Sequence, residues 1–295
     1  MAGIGIDLGG SSVKAVVVTR AGEKLAAANR PFDPDAAMAF AETVQALVSN
    51  LESEHGEAEF IGLSAPGLAA KDGRSIAYLP NRLAGMEGLD WTSHLRRSHP
   101  IAVLNDAHAA LMGEVWLGAA QGVVNVIMLT LGTGVGGAAM VDGTLLRGHT
   151  GKAGHLGHVC LDLQGQPDIC GTPGSLEMMI GNCTIGARSG DEFPSTHAVI
   201  EAVRGGNARA EQIWLSSVTA LACGIGSFSN ILDPEVVVIG GGIAQAGDLL
   251  FEPLRKKVDE VEWKVCGHDL QIVAAQLGEF AGAYGAAWNA IRQAQ

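Results

Sequence analysis

Three glycine-rich runs in this 295-residue chain each follow a short apolar segment: Gly9-Gly10-Ser11-Ser12, Gly132-Thr133-Gly134-Val135-Gly136-Gly137 and Gly240-Gly241-Gly242. Successive backbone N–H groups in such turns form concavities that hold anions, phosphate above all. The hydroxyls of Ser11, Ser12, Thr130 and Thr133 can add donors. Any single turn is weak evidence, because loop geometry alone explains many of the 41 glycines. Three turns, two of them in a repeated setting, point to a phosphate-rich ligand. The first two turns lead into further strand-like residues, which argues against a dinucleotide site of the strand, glycine turn, helix kind. A Walker A loop is also excluded: Gly148 to Lys152 lacks the spacing and the closing Ser or Thr.

Two carboxylates stand beside these turns or at the end of a strand. Asp7 sits where the first apolar run meets the first turn. There it can hold Mg²⁺, usually through water, against the β- and γ-phosphates of a nucleotide, or it can steady the turn. Asp106 follows Asn105 at the end of the apolar run Ile101 to Leu104. Its local chemistry leaves two readings open: a cap for the helix that follows, or a general base for an attacking hydroxyl.

The elements that must position these groups alternate between strand and helix. Gly3 to Asp7 and Val13 to Val18 read as a hairpin around the first turn. Asp35 to Leu51 has helical spacing, with Asp35 the expected N-cap. Phe60 to Ser64 and Ile101 to Leu104 read as strands, and Ala107 to Trp116 as a helix. The opening pattern then returns: Val124 to Leu131, the second glycine turn, and Ala138 to Val141. Ala210 to Leu232 is expected as a helix, Val236 to Ile239 as a strand, and Phe280 to Arg292 as a closing helix rich in Ala and Gly. Strand, turn, strand thus occurs twice, the trace of two related α/β domains.

Composition narrows the class. Hydrophobic residues make up 47% and charged residues 17%, so a sizeable core is expected. The net charge of −12 gives no broad attraction for nucleic acid or anionic membranes. The cysteines Cys160, Cys170, Cys183, Cys223 and Cys266 are odd in number and widely spaced, which does not indicate a disulfide framework. Residues from Met1 to Asp7 reach a carboxylate without a basic region, unlike a signal peptide, and a cytoplasmic location is expected. The uncharged stretch Val123 to Val141 approaches membrane-spanning length, but its central glycines fit two buried strands around a turn.

Together these motifs resemble the ROK family of sugar kinases, over nearly the whole chain. The resemblance implies the actin/hexokinase-like (ribonuclease H-like) fold: two related domains with mixed sheets flanked by helices, and an active site in the cleft between them. The implied N-terminal domain is 1–115, joined by the C-terminal helix at about 281–295; the C-terminal domain is 116–280. Asp7 to Lys14 is similar to the first phosphate motif, with Ser11 where Thr is more usual, and Leu131 to Gly137 to the second. Gly240, Gly241 and Gly242 resemble the turn near the adenosine. Gly62 to Gly67 resembles a segment that closes over the sugar, and Pro80 to Leu83 an Asn loop that touches it. Asn105 to Ala110 resembles the catalytic motif, which makes Asp106 the implied base. The implied sugar contacts are Asn81, Asn105, Asp106, His155, His158 and Glu177.

The departures concern one region. The family's Gly-Glu-Ile-Gly-His is here Gly154-His155-Leu156-Gly157-His158, so an imidazole replaces a carboxylate acceptor. The family's zinc segment is here Asp168-Ile-Cys170-Gly-Thr-Pro-Gly174-Ser175-Leu-Glu177, which keeps only His158 and Cys170 of the usual four ligands. Asp168 is a candidate substitute and Cys160 a stray one, while Ser175 is a poor ligand; loss of the structural Zn²⁺ is expected. The resemblance further implies ATP and Mg²⁺ as cofactors, a homodimer, and transfer to the 6-hydroxyl of a hexose. An N-acetylhexosamine, amino sugar, allose or fructose as acceptor, polyphosphate as donor, and a non-catalytic sugar-binding regulator are the alternatives.

Overall fold

The computed structural model describes residues 2–265, 267 and 269–294; Met1, Cys266, His268 and Gln295 lie outside them. The chain forms two compact units. The first comprises Met1–Gly122, Leu145–Ala153 and Gln276–Gln295, and the second Val123–Thr144 and Gly154–Ala275. The first unit thus extends past residue 115 and takes in a short excursion from the middle of the chain.

The first unit is built on the strands β1 (Ala2–Leu8), β2 (Ser12–Thr19), β3 (Lys24–Pro31) and β4 (Ile61–Ala65). A small hairpin of β5 (Leu68–Ala69) and β6 (Ile76–Tyr78) precedes β7 (Ala102–Asn105). The five-stranded order is β3-β2-β1-β4-β7, with β1 antiparallel to β2 and parallel to β4. Its helices are α1 (Ala39–His55), α2 (Trp91–His94) and α3 (Asp106–Leu117). The helix expected from Asp35 begins four residues later. Met38, in a left-handed conformation at φ 59°, is its N-cap, and Asp33 instead accepts from the Asp35 N–H in the turn before it.

The second unit repeats the plan with β8 (Val126–Leu131), β9 (Val135–Val141), β10 (Thr144–Leu145), β11 (Val236–Gly240) and β12 (Gln271–Ala274), in the order β10-β9-β8-β11-β12. Its helices are α4 (Leu176–Ile180), α5 (Ile185–Ser189), α6 (Thr196–Arg204), α7 (Ala208–Leu232) and α8 (Asp248–Val261). α7 is long and apolar enough to cross a membrane by length and composition. Ile213, Trp214, Val218, Leu221, Ile225 and Phe228 on it are nevertheless buried within the protein. The closing helix, α9 (Ala281–Gln293), belongs to the first unit.

Period-two alternation sorts β1. Ile4, Ile6 and Leu8 point to the α1 side, where Phe40, Val44 and Leu47 complete a core. Gly3, Gly5 and Asp7 point to the other face. There α9 lies so close that a Cβ on Gly5 would strike the Ala283 carbonyl, and one on Gly62 of β4 the Ala286 carbonyl. These glycines are spacers for helix-on-sheet packing. Ala283, Ala287 and Ala290 of α9 fill the remaining space against Val16, Val18 and Ala102.

Candidate active site

In the first unit, register and alternation bring the chemistry together. Asp7 is paired with Lys14 on one side and Ser64 on the other. The Ser64 hydroxyl donates to the Asp7 carboxylate. Burial first of all, then the nearby Asp106 carboxylate, push the Asp7 pKa up to about 6, against the lowering effects of Ser64 and Lys14. The first turn of α9 closes the space behind: a Cβ on Gly282 would lie 2.7 Å from the Asp7 carboxyl carbon. Lys14 also reaches Glu279 at 3.7 Å. The turn itself is closed by Gly9 N–H donating to Ser12 O at 2.8 Å. Among the described residues no protein acceptor takes the Gly10 and Ser11 N–H groups, and both residues are exposed.

The two readings of Asp106 separate cleanly. The N-cap of α3 is Asn105, whose Oδ1 accepts from Ala107 N–H at 3.0 Å and His108 N–H at 3.2 Å. Its Nδ2 donates to Gly67 O at 2.9 Å and to Asp106 Oδ1 at 2.8 Å. All four hydrogen-bonding positions of the buried Asn105 amide are in use, so a sugar contact from it would require one of these bonds to be exchanged. Asp106 is therefore not the cap. It is an exposed carboxylate in the first turn of α3, oriented by its neighbour. Gly67 supplies the carbonyl that anchors Asn105 and has φ 97°, a backbone geometry that a side chain disfavours. Asn81, at φ 59°, is exposed in the loop whose next residue, Arg82, puts Nη2 where a Cβ on Gly10 would lie 3.0 Å away.

In the second unit the glycine turn is shorter than its sequence indicates. Gly132 N–H donates to Gly134 O at 2.9 Å, and β9 begins at Val135. Gly136 and Gly137 are strand residues opposite Thr130 and Leu129. Gly137 is there for close packing: a Cβ would lie 2.7 Å from Gly154 O and from the Leu156 Cβ, in the loop that carries His155. Thr133 and Gly134 keep N–H groups with no protein acceptor among the described residues. Glu177 accepts from Val135 N–H at 2.9 Å, at the end of this turn. Thr130 is paired with Gly240, and Gly241 follows at φ 85°, against the Leu131 backbone.

A cavity of ≈ 390 Å³ joins the second and third glycine turns, with Gly132, Thr133, Thr196, Ile200, Gly242 and Ile243 among its lining residues. Its size suits a nucleoside-sized ligand. The wall from α6 escaped the sequence reading, although Ser195, which caps the helix by accepting from Ala198 N–H at 3.1 Å, was a readable start signal.

His155 is half-buried just before the single helical turn Leu156–His158. His158 Nδ1 lies 2.8 Å from Asp168 Oδ2, and its Nε2 lies 3.6 Å from Cys170 Sγ. The three side chains form a compact cluster. Its donors do not fit a closed zinc site. Asp168 and Cys170 sit at different ring nitrogens of His158, whereas one ion binds only one of them. The Asp168 carboxylate is further occupied by the Cys170 and Thr172 N–H groups, at 2.8 Å and 3.0 Å, and by the Ser175 hydroxyl. Burial works to raise the Asp168 pKa, and these donors, His158 foremost, outweigh it and hold the pKa below the ordinary carboxylate value. Asp168 is thus the hydrogen-bonded centre of the loop.

The architecture is that of the actin/hexokinase-like fold. A model of the ROK family matches residues 3–293, and the chain belongs to that family. A glucokinase of Thermotoga maritima is 32% identical over 96% of this chain and 95% of its own. Among solved structures, a ROK hexokinase from Thermus thermophilus superposes with a TM-score of 0.85 at 30% identity, covering 100% of this chain and 99% of the other. A ROK glucokinase from Streptomyces griseus in complex with glucose and AMPPNP gives 0.81 at 28% identity, covering 99% and 100%.

Proposed function

We propose that the protein is an ATP-dependent sugar kinase that phosphorylates a hexose or hexose derivative at its 6-hydroxyl. The observation that carries this reading is Asp106: an exposed carboxylate whose Oδ1 is held by Asn105 and by the Ala107 N–H. Such a group accepts the hydroxyl proton as the sugar oxygen bonds to the γ-phosphorus. The bond from that phosphorus to the β–γ bridging oxygen breaks, and ADP leaves. The amides of Gly10 and Ser11, and those of Thr133 and Gly134, have no protein acceptor among the described residues and are the donors assigned to phosphate. The cavity beside Gly242 is assigned to the adenosine. Asp7 is the residue assigned to Mg²⁺, usually through water, because Asp7 and Asp106 repel one another and a divalent cation relieves that repulsion. Bound there, Mg²⁺ would neutralise phosphate charge.

Asn81, His155, His158 and Glu177 are assigned to the sugar. His155 stands where family members carry Glu, which favours a second reading: a sugar other than glucose, such as an N-acetylhexosamine, an amino sugar, allose or fructose. The test is ADP release with Mg-ATP against a panel of these sugars, for wild type and Asp106→Asn side by side. Sugar-dependent release that falls by about 10²-fold or more in the variant is expected. Near-normal turnover in the variant removes Asp106 from the role of base.

A further inference from the structure

We propose that Arg188 is a positioning residue for nucleotide phosphates, acting through two hydrogen-bonded peptide units that end at the Thr133 N–H. The proposal rests on the reading that the turn at Gly132 to Gly134 holds those phosphates.

The relay is continuous in one unit of the protein. Arg188 on α5 donates from Nη2 to Gly181 O at 3.0 Å. The same peptide unit carries the Asn182 N–H, which donates to Gly132 O at 3.0 Å. The next peptide unit carries the Thr133 N–H, which faces no protein acceptor among the described residues and belongs to a residue lining the cavity. Each carbonyl accepts and the N–H of its own peptide unit donates onward, so the bonds polarise one another in a single sense. The guanidinium charge therefore makes the last N–H a stronger anion donor. Cys183 N–H donates to Thr133 O at 2.8 Å and fixes the other side of the turn.

The charge that drives the relay has no carboxylate partner among the described residues. Arg188 donates from Nε to Thr184 Oγ1 at 3.0 Å and from Nη1 to Ser217 Oγ at 2.5 Å, both neutral. No ion pair to Arg188 occurs among the described residues. Burial brings its pKa down to about 10, so it stays charged at neutral pH. A half-buried cation held only by neutral oxygens is poorly screened and favours an anion arriving nearby. Glu177 is the acid that touches this turn, and it bonds Val135 N–H, beyond the end of the relay.

The test is a calorimetric titration of adenosine, AMP, ADP and ATP, with Mg²⁺, into wild type, Arg188→Gln, Arg188→Lys and Ser217→Ala. In Arg188→Gln the loss of affinity should grow with phosphate count, to about tenfold for ATP, while adenosine changes by less than about twofold. Arg188→Lys keeps the charge and should lose less, in the same order. Ser217→Ala removes one neutral acceptor and should leave ATP affinity within about twofold. Folding of each variant is checked by circular dichroism. In turnover, the KM for ATP should rise while kcat changes little. A loss equal for adenosine and ATP, or a Ser217→Ala loss as large as that of Arg188→Gln, makes Arg188 a structural brace and overturns the proposal alone. Wild-type protein that binds none of the four ligands overturns the nucleotide reading and this proposal with it.

Discussion

The two units share one sheet plan and carry different residues at two equivalent, paired positions. In the first, the penultimate residue of the leading strand is Asp7, and its parallel neighbour is Ser64. In the second, the penultimate residue is Thr130, and its parallel neighbour is Gly240. Both hairpin turns are closed by a backbone hydrogen bond that leaves N–H groups at their centres without a protein acceptor among the described residues. The backbone therefore supplies anion donors twice, whatever the side chains. The carboxylates beside the turns differ: the first unit adds Asp7 and Asp106, the second of which makes Asp7 costlier to ionise, and the second unit adds Glu177 at the turn's end. A repeated frame gives repeated amides; the side chains set on it divide the labour between charge and neutral donors.

The largest expected effect tests the charged unit. Asp106→Asn should lower kcat by about 10²-fold or more and leave nucleotide affinity near wild type, as read by calorimetry. Asp7→Thr makes the first unit match the second. It should cut turnover by roughly tenfold or more at fixed Mg²⁺, since a carboxylate near the phosphates is lost. It should also stabilise the protein. The native pKa of about 6 lies above the ordinary 3.8, so native Asp7 binds its proton more tightly than unfolded Asp7. Its contribution to stability is present below the unfolded value and is lost as pH rises through about 6. Above that pH, wild type should trail Asp7→Thr by about 3 kcal/mol in urea melts, and the gap should vanish near pH 3. If the gap persists at low pH, the charge of Asp7 is not its source.

Gly282→Ala brings a methyl group within 2.7 Å of the Asp7 carboxyl carbon. Displacing that carboxylate should cost a few-fold to roughly tenfold in kcat, with a stability loss of about 1–3 kcal/mol from overpacking. Asp168→Ala strands the Cys170 and Thr172 N–H groups and should lower stability by about 1–3 kcal/mol. Because the native Asp168 pKa is depressed, its contribution is present above the ordinary carboxylate value and fades as pH falls through the native one. The smallest effect is expected from a zinc chelator: thermal unfolding in Mg²⁺-free buffer should be unchanged by it, because the loop is centred on Asp168. A drop of several degrees would show that a metal is held after all.

Local pattern made much of this legible. Val13 to Val18 and Val236 to Ile239 are β-branched runs bounded by turns, and they fall within β2 and β11. The start of α1 was misread because Asp35 is a good cap by type, yet its N–H is used in a turn around Asp33, and the chain bends at Met38 before the helix begins. β3, α6, α8 and β12 were missed. The period-two pattern of β3 is weak, since it is largely exposed, and α8 carries Pro253 inside its run. Glycine was the most ambiguous letter. Gly9, Gly10 and Gly132 lie in the turns themselves, whereas Gly5, Gly62 and Gly137 are spacers beneath a helix or a loop. Composition cannot tell these uses apart.

The sequence by itself determined the residue types available for chemistry, the doubled strand-turn-strand plan, and the placing of Asp7 and Asn105 at or next to the end of a strand. These depend on spacing along the chain, and spacing fixes which groups share a turn or a face. Tertiary structure decided the rest. It made Asn105 the cap and left Asp106 outside it, set Ser64 against Asp7, centred a web of hydrogen bonds on Asp168, and aligned Arg188 with the peptide units leading to Thr133. Each of these depends on which distant backbone groups arrive at hydrogen-bonding distance, and only the packing of sheets and helices sets that.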